Sequence, residues 1–115
     1  MKRVLIVEDD LQVRGLLVDA LKAAGYEVEG ASSFAEAKTK LEQVSFDLLV
    51  SDVLLPGGHG TELAAIAETK GVKRLLITGD PDQMQTLESH NQPHIPKPFR
   101  LSEFVERINR MWEGD

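Results

Sequence analysis

The sequence contains no cysteine and no long hydrophobic run, and each absence excludes a class of protein. A chain without cysteine forms no disulfide and no thiolate metal site, which fits a cytoplasmic setting. No apolar stretch approaches the roughly 20 residues that span a bilayer, so membrane insertion is not expected. Residues 1–3 lead directly into a predicted strand, without the hydrophobic region and cleavage site of a signal peptide.

Basic residues are also in short supply. The chain has 13 Lys and Arg against 19 Asp and Glu, a net charge of −6. Such a chain lacks the basic surface with which nucleic-acid-binding proteins attract phosphates, so direct nucleic-acid binding is not expected. Its 115 residues, 42% of them hydrophobic, are enough to form a core without disulfides, and we expect one domain over 1–115.

Strand-like and helix-like patterns alternate along the whole chain. Strands are predicted at "RVLIVE", "YEVEGAS", "DLLVSD", "VKRLLITGD" and, very short, "HIPKPF". Helices are predicted at "DLQVRGLLVDALKAAG", "FAEAKTKLEQV", "TELAAIAETKG", "PDQMQTLESHN" and "LSEFVERINRMW". Ser33 should cap the second helix, and either Arg100 or Ser102 should begin the fifth. The fourth helix has a weak apolar face, so we expect it to be short, mobile or distorted.

Five strand–helix units predict an α/β fold, a doubly wound parallel sheet with helices on both faces. The carboxyl ends of parallel strands meet at one edge of such a sheet, where ligands bind. Polar residues stand at four of these ends: Glu8, Asp9, Asp10, Asp52, Thr78 and Lys97.

Carboxylates that converge at one edge repel one another unless a cation joins them. A set of oxygen ligands with open positions favours Mg²⁺. A carboxylate beside such a metal can attack phosphorus and form an aspartyl-phosphate. The metal and a lysine would neutralise the oxygens of the transferred group.

Four segments, "VLIVEDDLQVR", "DLLVSDVLLPGGHGTEL", "LLITGD" and "PKPF", resemble in this order the receiver domain of two-component response regulators. The resemblance covers essentially the whole chain and implies a flavodoxin-like (βα)5 fold with strand order 2-1-3-4-5. It also implies a phosphoacceptor domain rather than an ordinary enzyme. Such a domain takes a phosphoryl group from the phosphohistidine of a histidine kinase or histidine phosphotransfer protein, uses Mg²⁺, and promotes its own phosphorylation and dephosphorylation.

The resemblance assigns the acids to different roles. Asp52 corresponds to the phosphoacceptor. The family has an arginine five positions after its second acid, and Arg14 therefore selects Glu8 and Asp9 as the acidic pair. Mg²⁺ would be held by Asp9, Asp52 and the backbone carbonyl of Leu54, with Glu8 acting through a water molecule. Asp10 is left as a helix cap.

Further roles follow from the same resemblance. Thr78 and Lys97 would bind the phosphoryl oxygens. The bond before Pro98 would be cis. His94 stands where the family often has an aromatic residue that moves with the threonine, in a face formed by the fourth helix, fifth strand and fifth helix that partners would sense. The remaining expectations concern the turn after the acceptor, shaped by Pro56 and Gly60, and the anchor of the last helix, Phe99.

Each role has an ordinary alternative. An acid at a helix start is usually a cap, a strand threonine is usually a β-former, and a lone lysine is usually solvated. The functional alternatives are a receiver module of a larger hybrid histidine kinase or regulator, and an unphosphorylated docking or dimerisation module. A homodimer could use Phe104, Ile108, Met111 and Trp112, although core packing is the simpler explanation for them.

Two other classes fit less well. A metal-dependent phosphatase with an aspartyl nucleophile would want a second acid two residues later, where Leu54 stands. A flavin- or nucleotide-binding sheet would want a glycine-rich loop after the first strand, where the acids stand.

Overall fold

The computed structural model describes residues 1–113, so Gly114 and Asp115 of the predicted domain lie outside the described residues. Five main strands and five helices alternate in this range, as the sequence predicts. The strands are β1 Arg3–Val7, β2 Glu27–Ala31, β3 Leu48–Asp52, β4 Lys73–Thr78 and β5 His94–Pro96. The helices are α1 Leu11–Ala23, α2 Phe34–Gln43, α3 Gly60–Thr69, α4 Pro81–Ser89 and α5 Leu101–Arg110.

The main strands form one parallel sheet in the order 2-1-3-4-5, which confirms the predicted flavodoxin-like fold. Strand β1 pairs with β2 on one side and with β3 on the other, so Val7 lies opposite both Ala31 and Ser51. The end of β1 therefore lies directly beside the end of β3, and the loops that follow these strands share one edge of the sheet.

The core has two layers because successive strand side chains point to opposite faces of the sheet. Val4 and Ile6 pack with residues of α1 and α5, among them Phe104. Leu5 and Val7 pack with residues of α2 and α3 on the other face. This two-sided burial explains why β1 reads as a continuous apolar run rather than an alternating one.

Local capping sets most of the helix starts. Ser33 begins α2 as predicted, its Oγ accepting a hydrogen bond from the N–H of Glu36 at 3.2 Å. Arg100 occupies the cap position of α5 without a side-chain cap bond, so the alternative start at Ser102 is wrong.

Helix α4 is short, as expected, but it is a continuous α-helix, so the predicted distortion is wrong. Asp80 caps it, Pro81 occupies its first turn, and Leu87 is 1% exposed. One buried leucine and a strong start are enough to order nine residues. Its mobility stays a prediction.

The carboxyl end of α5 and the turn after it contact the sheet edge opposite the acids. Tyr26 donates a hydrogen bond to Oδ1 of Asn109 and accepts one from Nε1 of Trp112 at 2.9 Å. The ammonium of Lys2 lies 4.6 Å from the centre of the Trp112 ring. At the other end of α5, the rings of Phe99 and Phe104 stack with centroids 5.4 Å apart. None of the helices in 1–113 is long and apolar enough to cross a membrane.

Candidate functional site

Three acids converge where β1 and β3 end. Carboxylate oxygens of Glu8, Asp9 and Asp52 all lie within 4.8 Å of one another. Glu8 and Asp52 are buried, whereas Asp9 is exposed. The cluster is therefore buried on one side and open to solvent on the other, as a metal site with room for water ligands requires.

Lys97 reaches the same cluster from the loop after β5. Its Nζ lies 3.3 Å from Oδ1 of Asp52 and 3.8 Å from Oε2 of Glu8. The backbone N–H of Lys97 donates to the carbonyl of Thr78 at 2.9 Å, which places the lysine beside the end of β4. The Lys97–Pro98 peptide bond is cis.

The charges of this cluster are incompletely balanced. Oε2 of Glu8 and Oδ1 of Asp52 are buried and accept no hydrogen bond from any described residue, although both face Lys97. Burial raises the pKa of Asp52, and the nearby Lys97 ammonium offsets only part of that rise. Buried carboxylate oxygens normally have partners, and one ammonium cannot neutralise three acids. An all-oxygen set in which two buried oxygens share a single ammonium fits a small, hard divalent cation such as Mg²⁺.

A cavity of about 270 Å³ opens beside Asp52. Asp52, Thr78 and Lys97 are among its lining residues. Oγ1 of Thr78 accepts a hydrogen bond from the N–H of Asp80 at 3.1 Å, so its own hydroxyl proton is available to another acceptor. The cavity therefore combines a carboxylate, an ammonium and a hydroxyl donor around one space.

The segment after Asp52 forms a small hairpin, in which Leu54–Leu55 pairs with Gly58–His59. The carbonyl of Pro56 accepts a hydrogen bond from the N–H of Phe34, tying the hairpin to α2. The N–H of Gly60 donates to the carbonyl of Val53 at 2.6 Å. Pro56 and Gly60 thus both hold the turn, and the role of the Leu54 carbonyl stays a prediction.

Asp10 is a helix cap rather than a fourth acid of the cluster. Its Oδ1 accepts a hydrogen bond from the N–H of Val13 at 3.0 Å at the start of α1. This agrees with the expectation that Asp10 differs in role from Glu8 and Asp9.

Replacing Asp10 should lower the stability of the fold, whereas replacing Asp9 should lower its affinity for Mg²⁺. We expect Asp10→Ala to lower the free energy of unfolding by about 1 kcal/mol, the usual loss for a helix cap, with Mg²⁺ affinity nearly unchanged. Asp9→Ala should weaken Mg²⁺ binding with little loss of stability, because Asp9 is exposed. Urea unfolding in EDTA and calorimetric Mg²⁺ titration of both variants measure these effects. Equal losses of Mg²⁺ affinity in the two variants would contradict the assignment.

His94 lies away from the acid cluster. It is the first residue of β5, and its Nδ1 lies 2.8 Å from the carbonyl oxygen of Gln92. Its Nε2 lies 3.9 Å from Oε1 of Glu88 on α4. His94 therefore connects β5 to α4, and its movement as a switch stays a prediction.

Sequence reasoning gave no structural role to His59. Its Nδ1 lies 2.6 Å from Oγ1 of Thr61 and accepts from the N–H of the same residue, so His59 caps α3. The available signal was its position just before a helical pattern, but histidine is not among the favoured caps.

The sheet topology, the acid cluster and the lysine and threonine beside it define a class of signalling domain. The family model of the response regulator receiver domain matches residues 4–109. The chain therefore belongs to the receiver domain family of two-component systems, as the sequence resemblance predicts.

Particular relatives resemble most of the chain. It is 35% identical to the response regulator receiver protein CpdR of Brucella abortus (strain 2308), over 96% of this chain and 97% of CpdR. Several other curated relatives are longer, and the chain spans about half of their length, between 46% and 54%.

Solved receiver structures have the same fold. The response regulator TrrA from Thermotoga maritima, in complex with Mg²⁺ and BeF, superposes with a TM-score of 0.85 at 31% identity, covering 96% of this chain and 99% of that one. The receiver domain of the hybrid histidine kinase CckA superposes with a TM-score of 0.79 at 31% identity, covering 96% and 98% of the two chains.

Proposed function

We propose that this receiver accepts a phosphoryl group on Asp52, from the phosphohistidine of a histidine kinase or a histidine phosphotransfer protein, in a reaction that requires Mg²⁺. The observation that carries the proposal is the buried Oδ1 of Asp52. It accepts no hydrogen bond from a described residue, lies 3.3 Å from Lys97, and belongs to a cluster of three acids. The Mg²⁺ and BeF complex of TrrA, a relative with the same fold, supports the choice of metal.

Asp9, Asp52 and the carbonyl of Leu54 would hold the metal directly, and Glu8 would hold it through a water molecule. Bound there, Mg²⁺ supplies positive charge to the oxygens of the transferred group. The exposed Asp9 leaves the open side of the cluster accessible to solvent and donor.

The residues of this chain divide the transfer among them. A carboxylate oxygen of Asp52 forms a bond to phosphorus while the bond between phosphorus and the donor imidazole breaks, and the imidazole nitrogen keeps that electron pair. The Lys97 ammonium forms an ion pair with the Asp52 carboxylate before the transfer and with a phosphoryl oxygen after it. The Thr78 hydroxyl donates to another. Both residues already line the cavity beside Asp52, so they need small movements to reach the product.

The new charge would bias the loops after β4 and β5, and partners would sense the face formed by α4, β5 and α5. Thr78 and Lys97 lie at the start of these two loops, and His94 connects β5 to α4.

The same site would promote both phosphorylation from small donors and later dephosphorylation. A complete acid, lysine and hydroxyl set argues against an unphosphorylated docking module. Phe104 and Ile108 are fully buried and serve the core rather than a dimer contact.

Phosphorylation by a small donor tests the proposal. We expect the chain to gain the mass of one phosphoryl group when it is incubated with acetyl phosphate and Mg²⁺, because the acceptor and its charge-neutralising groups lie in one chain. EDTA should abolish the gain. Intact-mass spectrometry measures both. A gain that persists in EDTA, or no gain from either acetyl phosphate or a phosphorylated histidine phosphotransfer protein, would contradict the proposed function.

A further inference from the structure

Arg14 extends from α1 to the backbone of the loop that carries the acids. Its Nη1 donates a hydrogen bond to the carbonyl oxygen of Glu8 at 2.8 Å, in a partly buried position. Among residues 1–113, no ion pair joins Arg14 to a carboxylate. The guanidinium therefore contacts the peptide group that follows Glu8 and does not form an ion pair with the acid side chains.

Gly30 of β2 provides the space through which Arg14 passes. A Cβ atom at Gly30 would lie 3.2 Å from Cδ of Arg14, 3.5 Å from its Cγ and 3.6 Å from its Nε. Gly30 does not have a positive φ, so its backbone conformation does not require glycine. Glycine inside a strand is unfavourable unless something must approach closely. Here the side chain of Arg14 makes that approach.

Hydrogen bonds hold both of the peptide groups that flank the Cα of Glu8. On the near side, the N–H of Glu8 donates to the carbonyl of Ala31 at 3.0 Å; on the far side, the carbonyl of Glu8, in the peptide that joins it to Asp9, accepts from Arg14. A peptide group is planar, so fixing the carbonyl of Glu8 also fixes the N–H and Cα of Asp9. One hydrogen bond can thereby set the direction in which both acids leave the backbone.

We propose that Arg14 is a positioning residue for the metal site, and that Gly30 has no side chain because Arg14 must cross it. Arg14 holds the peptide between Glu8 and Asp9 in the orientation that brings both carboxylates to Asp52. This inference rests on the proposed function, because it assigns a support to the same Mg²⁺ site. Residues that orient metal ligands typically change metal affinity by 10- to 100-fold when they are replaced.

The sign of the effect separates positioning from simple electrostatics. Arg14 carries a positive charge, and that charge by itself repels Mg²⁺. If charge were its only contribution, Arg14→Met would bind Mg²⁺ more tightly. If Arg14 positions the acids, the same variant should bind Mg²⁺ about tenfold more weakly, despite the loss of a repelling charge.

Calorimetric titration of the full chain with MgCl₂ tests the inference. We expect weaker binding for Arg14→Met and for Gly30→Val, which keeps the charge but fills the space that Arg14 crosses. Arg14→Lys keeps a charged donor on a flexible stem and should retain most of the affinity. Gly15→Ala is the matched control, because a Cβ at Gly15 meets nothing within 4 Å, and it should bind as the wild type does.

The outcomes are distinguishable from a failure of the proposed function. Absence of Mg²⁺ binding by the wild type would overturn the metal site and this inference together. Normal Mg²⁺ binding by the wild type, with equal or tighter binding by Arg14→Met, would overturn the positioning role alone. Urea unfolding in EDTA shows whether each variant is folded. If Arg14→Met does not fold, Gly30→Val decides, and wild-type affinity in that variant would overturn the inference.

Discussion

An Asp52→Asn variant should gain no phosphoryl mass from acetyl phosphate and Mg²⁺ under conditions that label the wild type. The amide is neutral and does not form an acyl phosphate, and it also removes one of the three acids that would bind the metal. We expect no substitution by Glu8 or Asp9, which are not among the residues that line the cavity with Thr78 and Lys97. Asp80 also lines this cavity, but its carboxylate caps α4. Intact-mass spectrometry over a time course measures the loss.

Asp19→Asn makes the same chemical change on the exposed surface of α1 and should be labelled normally. The stability of the Asp52→Asn variant shows whether an absence of labelling reflects a lost nucleophile or a misfolded protein. Because burial raises the pKa of Asp52, the folded state holds this proton more tightly than the unfolded state, and metal-free stability falls as the pH rises through the interval between the two pKa values. Asp52→Asn removes that cost, so in EDTA at neutral pH it should be at least as stable as the wild type. Persistent labelling of Asp52→Asn would place the phosphoacceptor elsewhere.

Gly60→Ala should have the largest effect on stability, a loss of about 3 kcal/mol in the free energy of unfolding. A Cβ at Gly60 would lie 2.1 Å from the carbonyl oxygen of Asp52 and 3.1 Å from Oγ of Ser51. The obstructing atom belongs to the backbone, so no side-chain rotation relieves the contact. Either α3 or the end of β3 must move, and the second movement displaces Asp52.

Urea unfolding in EDTA measures the loss, and mass spectrometry shows whether labelling slows with it. Gly15→Ala again serves as the matched change, because it adds a methyl group inside α1 without a contact and should stabilise the protein by up to about 1 kcal/mol. A Gly60→Ala variant within about 0.5 kcal/mol of the wild type would show that the start of α3 can shift without cost.

The sheet and most of the helices follow from local sequence signals. The apolar runs of β1 and β3 end in acids, and parallel topology then brings Glu8 and Asp52 to one edge, so their proximity could be predicted without coordinates. Ser33 and Asp10 predict helix starts, because their side-chain oxygens can accept a hydrogen bond from a backbone N–H of the first turn. These inferences need only periodicity, capping and the handedness of crossover connections.

The remaining features depend on contacts between distant segments. The side chain of Arg14, on α1, packs against Gly30, on β2. No local sequence pattern predicts this contact, because the two residues lie in different elements. The direction of His94 depends on Gln92 and Glu88, which approach it only after α4 has packed. The continuity of α4 depends on the Asp80 cap and the buried Leu87 rather than on a broad apolar stripe, so its apolar content alone does not predict a regular helix.

The hydrogen bond from Trp112 to Tyr26 places a fluorescent side chain at the edge of the sheet opposite the acids. Trp112 is the only tryptophan of the chain, and its contacts with Tyr26 and Lys2 lie at the starts of β2 and β1, opposite the acid edge. We therefore expect its emission to report the release of the end of α5 from the sheet. One optical signal and one mass signal can thus follow opposite ends of the same small domain.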